Sequence, residues 1–236
     1  LSHLSEPAER REYQLKLGRL RRDQFDDWGQ AYSWMSKAYQ EVPANRESVA
    51  ELEVAAAKTG AWPQLVRVYQ QALEQELEVE DMLATRQLLG RVLSEEVNEL
   101  DVALEQFQAI LDVEEDNLKA LAAMEDIYRR SERWDELMTV YRHRLELESD
   151  VDARIGILQG MAQIAEVEAE DNATAIERLN EALELDRRNQ KTLAELHRLY
   201  ALEEEYADLA DIIRQEIDLI ERLARLPEST QRLLGI

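Results

Sequence analysis

The side chains that could do chemistry in this chain are few, and they stand apart from one another. The histidines are His3, His143 and His197. No two are four residues apart, so the paired-histidine zinc site of a helix is missing. His197 reads as a helix-packing or groove residue. Cysteine is absent, which excludes a thiolate nucleophile, a disulfide and a cysteine-ligated metal. The acidic run Asp112-Val113-Glu114-Glu115-Asp116 lacks the glycine and spacing of a calcium loop. Glu203-Glu204-Glu205 reads as a solvated turn. Carboxylates number 51, yet none stands in a constellation with a histidine or a glycine-rich phosphate loop. Asn172-Ala173-Thr174 fits the glycosylation tripeptide, which is too common to weigh. The residues assign no catalytic, cofactor-binding or metal-binding position, and enzymatic activity is not expected.

Charge narrows the partners. The net charge is −23, which opposes binding to nucleic acid and to anionic lipid. It disfavours RNA reading by helical repeats, and it disfavours base stacking on the tryptophans, which would need basic neighbours. Residues 1–45 carry 7 basic and 7 acidic side chains, so the whole acidic excess lies beyond them. No apolar stretch approaches the roughly 18 residues of a membrane span, and no basic-then-apolar leader opens the sequence. A cytoplasmic location is the resulting expectation.

The elements that position these side chains are announced by a period. Trp62, Trp134 and Tyr206 are 72 residues apart, and so are Asn45, Asn117 and Asn189. The same register aligns Ala31, Ala103 and Ala175; Leu17, Leu89 and Met161; Gly18, Gly90 and Ala162; and Met35, Phe107 and Leu179. Further on it aligns Leu65, Leu137 and Leu209; Tyr69, Tyr141 and Ile213; and Leu73, Leu145 and Ile217. The aligned positions are apolar, small or turn-forming, which is the signature of packing between stacked repeats. The aromatic column is accordingly read as packing.

Each unit divides again. Ala31 to Leu65 is 34 residues and Leu65 to Ala103 is 38. Two similar modules therefore make one unit, the longer carrying about one extra helical turn, expected in its first helix. With 7 glycines, 4 prolines and no strand-like alternation, the composition is all-helical. Helices are predicted at 7–24, 28–41, 46–59, 63–77, 80–97, 100–112, 117–130, 134–147, 151–169, 172–185, 190–203 and 206–224. Asn45, Asn117 and Asn189 are predicted N-caps. Asp27, Glu99 and Asp171 place negative charge at helix starts. Loops of three to five residues require antiparallel pairs.

One continuous array over 1–236 is expected, with units at 7–78, 79–150 and 151–222, and residues 223–236 opening a further repeat. Gln231-Arg232-Leu233-Leu234-Gly235 echoes Arg86-Gln87-Leu88-Leu89-Gly90, so a longer parent array is also expected.

These residues resemble the tetratricopeptide repeat family over nearly the whole chain. Leu89-Gly90 and Leu17-Gly18 match the Leu-Gly pair of its first helix, and Tyr128 and Tyr200 the later aromatic. Gly60-Ala61-Trp62, Trp134 and Tyr206 match its turn aromatic; Ala103, Ala175 and Phe107 match its second helix; Pro43 matches its closing proline in one module. The modules depart from the pattern at Leu65, Leu137 and Leu209, where the family has alanine, and at Glu53, Glu125 and His197, where it has a small residue. Helical arrays with somewhat longer periods share parts of this pattern. The resemblance implies an all-α, right-handed superhelical solenoid of about six repeats and a partial seventh. It implies a protein–protein interaction scaffold whose first helices line a concave face for a partner peptide or helix. On that analogy the inward positions are Arg19, Arg22, Gln87, Arg91, Ala122, Asp126, Arg129, Gln159, Gln163, Glu166, Ala194 and Arg198. Two readings of the arginines stand open. They give a groove suited to acidic or polar partners, or they balance neighbouring glutamates. The lysine and asparagine clamp of the family's chaperone-tail receptors is not found. The alternative role is structural, with homo-oligomers assembling end to end or dimerising through apolar ends.

Overall fold

The computed structural model describes residues 6–225. Twelve α-helices and no strand are found among them: α1 (Pro7–Phe25), α2 (Trp28–Glu41), α3 (Arg46–Thr59), α4 (Trp62–Leu73), α5 (Val79–Val92), α6 (Leu100–Leu111), α7 (Leu118–Arg130), α8 (Trp134–Leu147), α9 (Val151–Val167), α10 (Asn172–Leu185), α11 (Gln190–Leu202) and α12 (Tyr206–Ala224). A wider π-type stretch, Leu93–Val97, continues α5. Residues 226–236 of the predicted further repeat, and His3, lie outside the described residues.

Local chemistry explains the boundaries. The side chains of Asn45, Asn117 and Asn189 accept from the amides of Ser48, Ala120 and Thr192 at 3.2, 3.0 and 3.0 Å. Asp27 and Asp171 do the same for Gln30 and Thr174, both at 3.0 Å, while Glu99 makes no capping bond. Each bond satisfies a helix-start donor that has no intrahelical partner. Pro7 and Pro63 sit in first turns, where a missing amide hydrogen costs nothing.

The turns between paired helices share one device. Asp26, Asn98 and Glu170 have φ of 48°, 60° and 52°, and Gly60, Glu132 and Glu204 have 66°, 55° and 58°. Each closes the first helix of a pair in the left-handed region, and each triplet keeps the 72-residue spacing. Only Gly60 is a glycine, so the others carry a backbone cost. The extra turn of the longer modules falls in the first helix. α1 has 19 residues, α5 has 14 plus its 5-residue continuation, and α9 has 17; α3, α7 and α11 have 14, 13 and 13.

The chain divides into two compact units, Leu1–Ile127 and Tyr128–Ile236, with the division inside α7. In the first unit, successive helices α1 to α6 pack on one another. Its core includes Ala31, Met35, Tyr39, Leu52, Leu65, Tyr69, Leu89, Ala103 and Phe107, all buried. In the second, α8 to α12 pack in order around Ala162, Ala165, Ala175, Leu179, Leu193, Leu196 and Ile212. Small residues in these lists mark close helix approach, and large ones fill the space beside them. Trp62 and Trp134 are only half-buried, and Tyr206 is exposed. The aromatic column starts the second helices, but Tyr206, 67% exposed, is not the packing residue that its column predicts.

Candidate functional site

The first-helix positions singled out by sequence divide between the two units. In the first unit, Arg19 of α1 donates to Glu51 at 2.7 Å and Glu47 at 2.8 Å, both on α3. Arg22 reaches Glu51 as well, and also its neighbour Asp23. Arg11, which sequence reasoning did not select, donates to Asn45 and Glu47 at 2.7 and 3.0 Å. Arg91 of α5 pairs with Glu53 of α3. In the second unit Arg198 of α11 grips both oxygens of Glu166 of α9, at 2.7 and 2.6 Å. These arginines therefore tie one first helix to the next, across 28 to 38 residues of sequence. Hydrogen bonds to Arg19 and then Arg11 hold the Glu47 carboxyl below its ordinary range, and those to Glu166 and Glu195 raise the Arg198 guanidinium.

The remaining positions are set as follows. Ala122, Asp126 and Arg129 are exposed on α7, and Arg129 donates to the Tyr141 hydroxyl at 2.8 Å. Gln159 of α9 donates to Asn189 at 3.1 Å and to Thr192 at 2.9 Å. Gln163 and Ala194 are exposed on α9 and α11. A cleft of about 350 Å³ brings Gln159, Gln163, Glu166 and Arg198 together with Lys191 and Val167.

A larger cleft, of about 970 Å³, opens on the first-helix face of the first unit. Its walls come from α3, α5 and the start of α7. Its floor is apolar: Val49, Ala50, Leu83, Ala84 and Leu88. Its rim is polar, with Arg46, Glu53, Glu80, Gln87, Glu114 and Lys119. Of the positions read from sequence, only Gln87 lines it. The floor was missed because a search for polar inward positions passes over alanine and valine. The signal was present: α5 carries Ala84 and Leu88 beyond the apolar positions its core face needs.

A polar network stiffens this wall. The Tyr69 hydroxyl of α4 donates to Glu53 at 3.0 Å, and Glu53 also holds Arg91. The Tyr69 ring packs 5.1 Å from that of Tyr39 in a tilted pair. The Tyr39 hydroxyl bonds Thr85 of α5 at 3.1 Å. Burial pushes the Tyr69 phenol far up, and the Glu53 charge adds to it. Helices α2, α3, α4 and α5 are thereby fixed around the cleft. Glu53, which departs from the family pattern, is the hub.

Among the described residues no group of three or more His, Asp or Glu side chains could hold a metal ion, and no helix is long and apolar enough to cross a membrane. His197 hydrogen-bonds Glu216 of α12 at 2.8 Å, a packing contact between helices.

Residues 48–83 and 120–154 match the tetratricopeptide repeat model. No curated protein matches the chain. Among solved structures, residues 41 to the end of MamA from Desulfovibrio magneticus RS-1 are 16% identical, with a TM-score of 0.50 over 77% of this chain and 98% of that one. A tetratricopeptide repeat protein from Parabacteroides merdae ATCC 43184 is 16% identical, with a TM-score of 0.50 over 89% of this chain and 80% of that one. A second MamA structure is 15% identical, with a TM-score of 0.51 over 78% and 95%. These likenesses show the fold. The two matched segments are tetratricopeptide repeats, and the likenesses show an all-helical fold built from antiparallel pairs.

Proposed function

We propose that the chain is a protein-interaction scaffold that holds a partner segment on its first-helix face and does no chemistry. The α3–α5 cleft carries this reading. An open, apolar-floored, polar-rimmed cleft is the form that takes an amphipathic helix or an extended peptide. Each large apolar side chain buried there contributes roughly 1.5–3 kcal/mol. Two or three such anchors suffice for a specific complex once the ordering costs are met.

The polar positions Arg19, Arg22, Gln87, Arg91 and Asp126 belong to the first-helix face of the first unit in this reading, and Arg129, Gln159, Gln163 and Arg198 to that of the second. Their present partners bear on its selectivity. The forks of Arg19, Arg22, Arg91 and Arg198 already hold carboxylates. An acidic partner would exchange with Glu47, Glu51, Glu53 or Glu166, gaining the difference between two similar ion pairs. The apolar floor therefore supplies most of the affinity, and the arginines favour partners whose carboxylates flank an apolar run. Selection from a displayed library of random peptides tests the reading. Enriched sequences with two or three large apolar residues, losing binding in Leu83→Glu or Leu88→Glu, support it. Binding indifferent to both changes rejects it.

A second reading, a structural role through the ends of the helix array, is favoured by one observation. Helix α12 exposes Tyr206, Ile213, Ile217 and Ile220 along a single face.

A further inference from the structure

We propose that the α3–α5 cleft takes an extended partner segment whose charges run acidic, basic, acidic at three-residue spacing, with apolar residues between them. The inference rests on the cleft being the binding site, and it adds the partner's backbone form and its charge order.

The free charges of the rim set the order. Glu53 is held by Tyr69 and Arg91, and Glu114 accepts from the side-chain amide of Asn117 at 2.7 Å. Arg46, Glu80 and Lys119 are exposed and hold no partner among the described residues. They stand in the first turns of α3, α5 and α7. Arg46 and Glu80 share one column, 34 residues apart, and 38 residues further on that column reaches Leu118, beside Lys119. Each of the three helices is the first of an antiparallel pair, so their starts lie at the same end. The rim therefore reads positive, negative, positive across three successive helices. Arg19, Arg22 and Arg91 already hold carboxylates, which leaves these three groups to select a partner by charge.

One turn deeper the wall is small and apolar. Four residues on from Arg46 and Glu80 stand Ala50 and Ala84, with Val49 and Leu83 beside them. Short side chains there let a partner's backbone come close.

Size decides the backbone form. Packed helices stand about 8–10 Å apart, so the three charges span roughly 16–20 Å. An α-helix of that length, with side chains, occupies roughly 1,300–2,300 Å³. An extended segment of the same length occupies roughly 750–1,000 Å³. The cleft, at about 970 Å³, holds the extended segment whole and a helix only in part. A polyproline-type segment advances about 9 Å per three-residue turn, one helix step of the wall. Every third side chain then meets a rim charge, the next meets the apolar row, and the last faces water.

Titration of fluorescently labelled peptides against the full chain tests this. The matched probe is Glu-Leu-Pro-Lys-Leu-Pro-Glu, in which the prolines forbid a helix. The reversed probe is Lys-Leu-Pro-Glu-Leu-Pro-Lys. The net charge of −23 favours the reversed probe, so a preference for the matched one reports local order. The matched probe should bind about tenfold tighter in about 0.05 M salt, with the preference nearly gone at about 0.5 M. Arg46→Glu, Glu80→Lys and Lys119→Glu together should invert the preference. Helical circular dichroism should stay unchanged, because all three side chains are exposed. Leu88→Glu should abolish binding of the matched probe. Equal binding of the two probes, or a preference for the reversed one, overturns the charge order; loss of that binding in Leu88→Glu would leave the cleft as the site. A preference that survives Leu88→Glu places the site elsewhere and overturns both. Failure of both probes at about 1 mM overturns the proposal; the cleft then stands as the site if library-selected peptides bind and are lost in Leu88→Glu, and falls if they do not.

Discussion

The ring of Phe107 on α6 lies so close over Gly90 of α5 that a methyl group on Gly90 would fall 2.7 Å from its Cζ. Gly18 and Met35 repeat the relationship in the first module, at 3.0 Å. The two pairs are 17 residues apart internally and 72 from each other. At both points the helices of a pair approach closely.

Gly90→Ala is therefore expected to destabilise the chain although alanine is the better helix former. The clash costs about 1–3 kcal/mol, of which the gain in helix propensity, about 1 kcal/mol, offsets part. Phe107→Leu in the same chain should restore most of the loss. Gly156→Ala on α9, which meets nothing within 4 Å, should raise stability by about 0.5–1 kcal/mol. Urea titrations of the three variants check both signs.

Tyr69→Phe removes the hydroxyl that donates to Glu53. A hydrogen bond to a carboxylate is worth about 1.5–3 kcal/mol, so a loss of that size is expected. Glu53→Gln keeps an acceptor for Tyr69 but gives up the charge facing Arg91, and should cost less than Glu53→Ala. A double-mutant cycle between positions 53 and 69 should show a coupling of about 1 kcal/mol. Additivity would mean that the network does not act as one.

Glu132 and Glu204 hold the left-handed position that Gly60 holds in the first unit. Replacing each by glycine should stabilise by about 0.5–1 kcal/mol, since a left-handed side chain is strained and a glycine is not. Thermal melts read the sign directly. Gly60→Glu should lose a similar amount.

Acid should loosen the first unit. The Glu47 carboxyl is held below its ordinary value of 4.5 by Arg19 and Arg11. A depressed carboxyl contributes stability that is fully present above its unfolded value and is lost as pH falls through its folded one. Stability should therefore decline below about pH 4.5, and Glu47→Gln should flatten that decline while leaving the slope near neutrality unchanged. The Glu47 side chain is about half exposed, so the effect is small. Stability measured against pH for the two chains checks the window.

Much of the fold is legible because its determinants are local. Asn45, Asn117 and Asn189 announce helix starts by chemistry that spans three residues. Gly90 and Phe107 announce their contact by a small and a large residue in phase. The left-handed turns at Asn98, Glu132, Glu170 and Glu204 were illegible because only Gly60 carries the expected residue, and the surrounding helices impose the conformation on the rest. The arginines of the candidate face were visible, but their partners were not. Arg19 with Glu51 and Arg198 with Glu166 are each 32 residues apart, so a search for opposite charges at i, i+4 passes them by. A search for opposite charges 28 to 38 residues apart would have found them. The apolar cleft floor was hidden for a related reason. Ala50, Ala84 and Leu88 look like ordinary helix residues until α3 and α5 are set side by side.

The central claim is that partners seat on the α3–α5 cleft. Hydrogen–deuterium exchange of the chain with and without a peptide selected from the displayed library tests it most directly. The account predicts added protection in α3 and α5, with α4 and α6 unchanged, and loss of that protection in Leu88→Glu. Protection centred on α4 or α6, or protection that survives Leu88→Glu, would contradict it.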